Sequence, residues 1–355
     1  MAAQPVSARR TRNASVVMVT GAFPPDVCGV GTYTERLMAA APADWSLFVE
    51  RDWSPGAAPG ILRRLLRRRP GTVVLQYPTE NYGWSLVPHL LVAFGRLTGR
   101  WSTILALHEF TSLTGKSRSA LALASRFARA VVFTTQAERE SALAHPLFAP
   151  RVPTRVVPIL SNIPFTPAPR PFAERSIALA YFGHIRPNKG LEAFLATIER
   201  LRCDDGGRTR VAIIGVVPAG YESFAQSIAA GCRAAGCELL LGREEPEVAA
   251  LLNDIRILYL PFPDGVSARR GSVLAGFGNG ALVAAPLGPA TPPALAPAVI
   301  PCTGAPEDAE ILRTALAMPA ERAAALQQTG RDYIATILPR DWAQVATLYQ
   351  QAVDG

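Results

Sequence analysis

"IALAYFGHIRPNKGLEAFL", residues 177–195, changes character twice within a short span. Its first seven residues are a continuous apolar run, the pattern of a strand buried on both faces. "GLEAFLATIERL" continues as a helix, and a loop with Arg186 and Lys189 lies between the two. Strand, short loop and helix in that order make one step of a parallel α/β unit, and similar steps recur on both sides of it.

Upstream, "SVVMVT" (15–20), "WSLFVE" (45–50), "TVVLQY" (72–77), "STILALHE" (102–109) and "AVVFTT" (130–135) read as strands, and "RVVPILSNI" ends the set. "TYTERLMAAA" and "GILRRLLRRR" read as helices among them. Downstream, "RVAIIG", "CELLLG", "RILYLPF" and "GALVAAP" read as strands. The intervening "YESFAQSIAAGCRAAG" and "EPEVAALLND" are helical, as is the stretch from about 307 onward. Alternation of this kind implies parallel sheets covered on both sides. Between the two sets lies "PFTPAPRPF" (164–172), with four prolines in nine residues. It can be neither helix nor central strand, and reads as a stiff linker at a domain boundary. The expected organisation is a disordered basic tail at 1–14, a Rossmann-like domain at 15–165 and a second at 166–339. The helix at 340–355 is expected to cross back to the first. A chain of 355 residues suits two domains.

Composition narrows the class of partner. The net charge is +8, and nearly all of its positive part is arginine, the only lysines being Lys116 and Lys189. Such a balance favours anionic partners. Aromatic and basic residues are not interleaved, and no nucleic-acid-binding motif is present, so nucleic acid is not the expected partner. Five scattered cysteines without a C-x-x-C pair point to reduced thiols, not to a disulfide framework or a zinc site. No apolar run reaches the length of a membrane span; "LVPHLLVAFGRLTG" is short and broken by Pro88, His89 and Arg96.

Four constellations carry candidate chemistry. In "TGAFPPDVCGVGTYTERL" (20–37), Gly29 and Gly31 precede a helix, where backbone N–H groups can meet an anion. The stretch also resembles a dinucleotide fingerprint, with Glu50 about twenty residues on, but its glycines stand too far from the strand. In "YFGHIRPNKG", Arg186 and Lys189 follow a strand end, where parallel sheets bind ligands, and suit a phosphate or pyrophosphate. In "PFPDGVSARRGSVLAGFGNG" (261–280), Arg269 and Arg270 sit at a helix start whose Gly271, Ser272 and Val273 present N–H groups. Cations are disfavoured there unless an anion is bound. In "LALHEF", His108 ends a strand and is placed to orient a substrate hydroxyl. "ILRRLLRRR" reads as a sheet-packed helix with solvated arginines, with contact to an anionic membrane left open.

Taken in order, "FPPDVCGVGTYTERL", "LHEF", "FGHIRPNKGLEAFL", "IIGVVPAG", "ELLLGREEPEVAALLND", "PFPDGVSARRGSVLAGFGNGALVAA" and "DWAQVATLY" resemble the retaining glycosyltransferases of family 4 over nearly the whole chain. The resemblance implies an α/β protein of GT-B fold, two Rossmann-like domains facing across a cleft. It implies a nucleotide-sugar donor, such as a UDP- or GDP-sugar, with no further cofactor and no metal. Arg186 and Lys189 would act on the leaving diphosphate, and His108 would lie near the donor sugar. Arg270, Gly271, Ser272 and Val273 would bind the diphosphate, and the Gly29–Gly31 loop would close on it. Gly242 and Arg243 would flank the base. The family's Glu-x7-Glu falls here on Ser267 and Ala275; Asp264, with Gly265, is the candidate replacement at the sugar. The implied activity is metal-independent, retaining sugar transfer to a glycan, lipid-linked or small-molecule hydroxyl, in the cytoplasm or at the inner membrane face, for bacterial glycan or glycoconjugate synthesis. Loops 76–86 and 108–118 would shape the acceptor pocket. Two alternatives stand beside it: a binding protein of the same fold without catalysis, and an NAD-dependent oxidoreductase using the first half.

Overall fold

The computed structural model describes residues 16–206 and 209–355. The expected tail at 1–14 lies outside them. By internal packing the chain divides into two compact units, one comprising the chain up to Val157 together with Val345–Gly355, the other Pro158–Gln344.

The first unit is built on β1 (Val16–Thr20), β2 (Trp45–Val49), β3 (Thr72–Tyr77), β4 (Ser102–Leu107), β5 (Ala130–Phe133) and β6 (Thr154–Val156). All pair in parallel, in the order β2-β1-β3-β4-β5-β6. Its helices are α1 (Gly29–Ala40), α2 (Ala58–Arg68), α3 (Val87–Thr98), α4 (Gly115–Ala124) and α5 (Gln136–Leu143). Alternate strand residues divide between the sheet's two faces. Val17, Val19, Val73, Leu75, Leu105, Leu107, Val131 and Phe133 share one core with Ile61 and Leu65 of α2, Leu91 and Val92 of α3, Leu121 of α4 and Ala142 of α5. The opposite face meets α1 and the closing helix α12 (Trp342–Asp354). That helix returns to the first sheet: Trp45 Nε1 donates to Gln350 Oε1 at 3.0 Å, and Arg129 donates to the Asp354 carbonyl at 3.2 Å.

In the second unit, β7 (Ile177–His184), β8 (Val211–Val216), β9 (Glu238–Leu241), β10 (Ile255–Tyr259), β11 (Leu282–Pro286) and β12 (Val299–Cys302) form another parallel sheet, ordered β12-β11-β10-β7-β8-β9. Helices α6 (Leu191–Asp205), α7 (Glu222–Ala235), α8 (Glu245–Leu252), α9 (Gly271–Gly278), α10 (Asp308–Leu316) and α11 (Ala320–Ile337) complete it. No helix among the described residues is long and apolar enough to cross a membrane.

The proline-rich segment is not a free linker. The Asn279 side chain donates to the Pro164 carbonyl at 3.1 Å, and Thr166 Oγ1 donates to Asn279 Oδ1 at 2.6 Å. A Cβ at Gly278 would run into the Phe165 ring, and Phe172 is buried in the second core. The segment straps the second unit, and the boundary falls after Val157, not after residue 165. Arg175 holds the far end of this strap. Its fully buried guanidinium donates to the carbonyls of Arg170, Leu252, Ile255 and Asn279.

Candidate functional site

The carboxyl ends of β7 and β10 are neighbours in the second sheet, and the loops that leave them carry Arg186, Lys189, Asp264, Arg269 and Arg270. After β7 the chain turns through Asn188 and Gly190, both with positive φ, of 61° and 79°. Only glycine serves at the second position, because a Cβ there would overlap the Pro261 carbonyl. That close approach seats the Arg186–Lys189 loop against the loop leaving β10.

Tyr181 and His184 of β7 lie beneath this junction. The Tyr181 hydroxyl is buried with no hydrogen-bond partner, and so is Arg186 Nε. Burial raises the Tyr181 pKa, while the nearby charges of Arg270 and Arg186 oppose the rise. Arg186 and Arg270, on different loops, thus both act electrostatically on the same phenol. Burial also lowers the His184 pKa to about 4, and the Lys189 and Arg186 charges add to the effect. His184 is therefore neutral at neutral pH beneath a cationic rim.

Helix α9 opens onto the same rim. Arg270 is its N-cap in extended conformation, with no side-chain cap and no acid in the first turn. The N–H groups of Gly271 and Ser272 have no intrahelical acceptor. Val273 differs from expectation: its N–H is engaged by the Arg270 carbonyl at 2.9 Å and its side chain is buried, so it offers nothing to a ligand. Arg269 is half-buried beside the cap. The Arg270 guanidinium lies 4.3 Å from the centre of the Phe262 ring and forms an ion pair with Asp264. Asp264, read from sequence as a sugar contact, is here paired with a cation six residues along the chain. Gly265 adopts φ 78°, and a Cβ there would stand 2.5 Å from the Gly288 backbone N, so its role here is close backbone packing. Ser267 and Ala275 are both buried, and neither position supplies a carboxylate.

Gly242 and Arg243 follow β9, two strands from β7 along the same sheet edge. The Gly242 N–H donates to the Gly215 carbonyl at 3.1 Å, with φ 63°. Arg243 is half exposed and pairs loosely with Glu247 at 3.8 Å.

In the first unit, Gly29 and Gly31 do not precede α1 but lie in its first turn, because Cys28 is the extended N-cap. Gly31 is a packing glycine: a Cβ would stand 3.0 Å from the Ala22 carbonyl oxygen. Gly29 is open, and no acid or side-chain cap covers this helix start. His108 follows β4 and is only 3% exposed. Its Nε2 is 2.7 Å from Gln76 Oε1, and Tyr33 of α1 meets its ring edge-on at 4.9 Å. The Tyr33 hydroxyl lies 3.4 Å from that of Tyr349 on α12. The histidine is one member of a buried polar chain, not an exposed strand-end group. Gln76, a lone amide within an otherwise apolar strand core, was the sequence signal for that chain.

Burial lowers the His108 pKa to about 4, against a smaller opposing effect of Glu109. Because the folded value lies below the unfolded one, the unfolded chain binds the proton first, and stability falls as pH drops from about 6.5 toward 4. The His108 contribution is on the order of 3 kcal/mol. Thermal midpoints measured over that window should fall less steeply for His108→Gln than for the parent; equal slopes would count against the buried neutral histidine.

The pattern defines a class of fold before any individual relative is considered: two parallel six-stranded α/β units with a helix returning to the first, matching structures of GT-B type. No protein-family model matches the sequence, and no curated protein matches it. Solved structures do. Anabaena HepE in complex with UDP and glucose superposes with a TM-score of 0.70 at 12% identity, covering 96% of this chain and 100% of that one. The UDP-forming α,α-trehalose-phosphate synthase of Burkholderia vietnamiensis gives 0.65 at 11% identity, over 96% and 100%. The pneumococcal O-GlcNAc transferase GtfA in complex with UDP and GlcNAc gives 0.56 at 10%, over 83% of this chain and 59% of that one.

Proposed function

We propose that the protein is a retaining, metal-independent glycosyltransferase whose second unit holds a nucleotide-sugar donor. The carrying observation is that the Arg186–Lys189 loop is seated by Gly190 against the loop leaving β10, which leads to Arg270 and the uncapped start of α9. Two guanidiniums, Lys189 and the Gly271 and Ser272 N–H groups make a site for the diphosphate of a UDP- or GDP-sugar. Neutral His184 beneath them adds no repelling charge. Gly242 and Arg243, further along the sheet edge, suit the base. The solved relatives with UDP, glucose or GlcNAc bound support this reading of the fold.

In the proposed reaction the diphosphate departs with the anomeric bonding pair, and the cations and helix start stabilise its growing charge. The acceptor hydroxyl attacks from the same face and passes its proton to the departing phosphate oxygen. Gly29 at the α1 start is a second anion-facing position, and His108 orients substrate only through the chain of Gln76, Tyr33 and Tyr349. The setting is cytoplasmic, in bacterial glycan or glycoconjugate synthesis. Acceptors are glycan, lipid-linked or small-molecule hydroxyls.

Calorimetric titration with UDP, GDP, ADP, TDP and CDP tests the donor site, and we expect one or two of them to bind. Failure of all five would remove it. Incubation with the matching nucleotide sugar, EDTA present, should release free sugar slowly. Binding without any release would favour the non-catalytic reading, for which the apolar and hydroxyl residues at Ala275 and Ser267 speak.

A further inference from the structure

The helical layer of α2, α3, α4 and α5 covers one face of the first sheet. On its outer side, α3 and the turn before it meet water with apolar side chains. Trp84 is 77% exposed, Leu86 58%, Leu90 62% and Leu97 73%, the four highest values for large hydrophobic side chains among the described residues. Leu86, Leu90 and Leu97 recur at helical spacing and share one stripe. The same helix buries Leu91, Val92 and Gly95 on its inner side. Helix α3 is therefore apolar twice over, toward the sheet and toward solvent. Single exposed leucines are ordinary; a row of them with a tryptophan marks a contact surface.

The charge around that row is strongly one-sided. Between Trp53 and Ala137 eleven cations stand against two acids, a balance of +9 in a chain whose net charge is +8. Helices α2, α3 and α4 contain no acidic residue. Arg96 and Arg100 are exposed at the end of α3, and Lys116 is exposed on α4, which packs beside it. On α2, an open groove of about 550 Å³ is lined by Pro59, Leu62, Arg63, Leu66, Arg67 and Arg69.

We propose that the outer side of this layer docks on an anionic bilayer. Trp84, Leu86, Leu90 and Leu97 enter the boundary between headgroups and acyl chains, while Arg96, Arg100, Lys116 and the α2 arginines meet lipid phosphates. A tryptophan and leucine stripe beside cation-rich helices is the chemistry of an interfacial anchor. The occupant is a lipid surface because the cations spread over three helices, a field that a plane of phosphates matches continuously. This reading stands apart from the donor site, which lies in the other unit.

Co-sedimentation with vesicles of pure phosphatidylcholine and of equimolar phosphatidylcholine and phosphatidylglycerol tests it. The parent protein should bind the mixed vesicles, bind the neutral ones far less, and lose affinity as salt rises. The Leu90→Glu, Leu97→Glu double variant should bind the mixed vesicles about tenfold or more weakly, as should Arg63→Glu with Arg67→Glu. Both should keep the parent's unfolding midpoint, since the altered side chains are exposed. The proposal is overturned if the parent ignores the mixed vesicles, or if the leucine variant binds them as the parent does. A parent dimer that the leucine variant converts to monomer would assign the stripe to self-association and overturn it too. Vesicle binding by a parent that binds no nucleotide would support the membrane face and remove only the donor site.

Discussion

Replacing Arg175 by methionine is expected to cost about 3–5 kcal/mol of stability in the second unit, the range seen when one partner of a buried charged network is removed. The side chain is 1% exposed and donates five hydrogen bonds, all to carbonyl oxygens. Burial lowers its pKa to about 10, Arg170 lowers it slightly and Asp254 opposes both, so it keeps its charge at neutral pH. The bonds tie three segments, for Arg170 lies on the strap, Leu252 and Ile255 bracket the turn into β10, and Asn279 ends α9. Methionine fills much of the volume but leaves the carbonyls of Leu252, Ile255 and Asn279 without this donor in a dry interior. Urea unfolding, followed through the transition of the second unit, should show a large drop in midpoint. Arg175→Lys should recover little, because one ammonium cannot span the fork. A shift below about 0.5 kcal/mol, the range of ordinary surface changes, would refute the clamp.

The second large effect belongs to binding. Arg186→Ala with Lys189→Ala is expected to weaken the affinity for the best nucleoside diphosphate at least about 100-fold, since each charge-assisted contact contributes about 1.5–3 kcal/mol. Arg186 is the more informative of the two, because its Nε is already dehydrated and unpartnered in the structure. Its loss alone should account for more than half of the effect. Folding should survive, since neither side chain is fully buried. Unchanged affinity in the double variant, with the unfolding midpoint preserved, would mean that the diphosphate binds elsewhere.

The steps from strand to helix were legible wherever an apolar run met a glycine and a periodic stretch, as in β7 and α6. Prolines obscured the rest. Pro88 counts against a helix, yet it occupies the first turn of α3, where no N–H is needed. Pro301 lies within β12, an edge strand that tolerates the missing donor. Pro153 and Pro158 flank β6, which is only three residues long. At the site, Arg186, Lys189 and Arg270 announce themselves as cations at strand and helix ends. The Asp264 pairing could not be read, because the loop from Phe262 to Arg270 has no period. Tyr181 looked like core, and only the fold reveals a phenol without a partner. His108 looked like a strand-end ligand until Gln76 and Tyr33 surrounded it.

The return of α12 has a consequence for how the molecule is made. Residues 345–355 complete the first unit, so in sequence the second unit is an insertion within it. On the ribosome the second unit can finish as a continuous segment, while the first waits for the Trp45 indole to meet Gln350, and for Tyr33 to meet Tyr349, until those residues have been synthesised. The unit that begins first is the last to be closed. A nascent chain paused before residue 345 would therefore expose the first unit's α1 face to chaperones after the second unit had already folded.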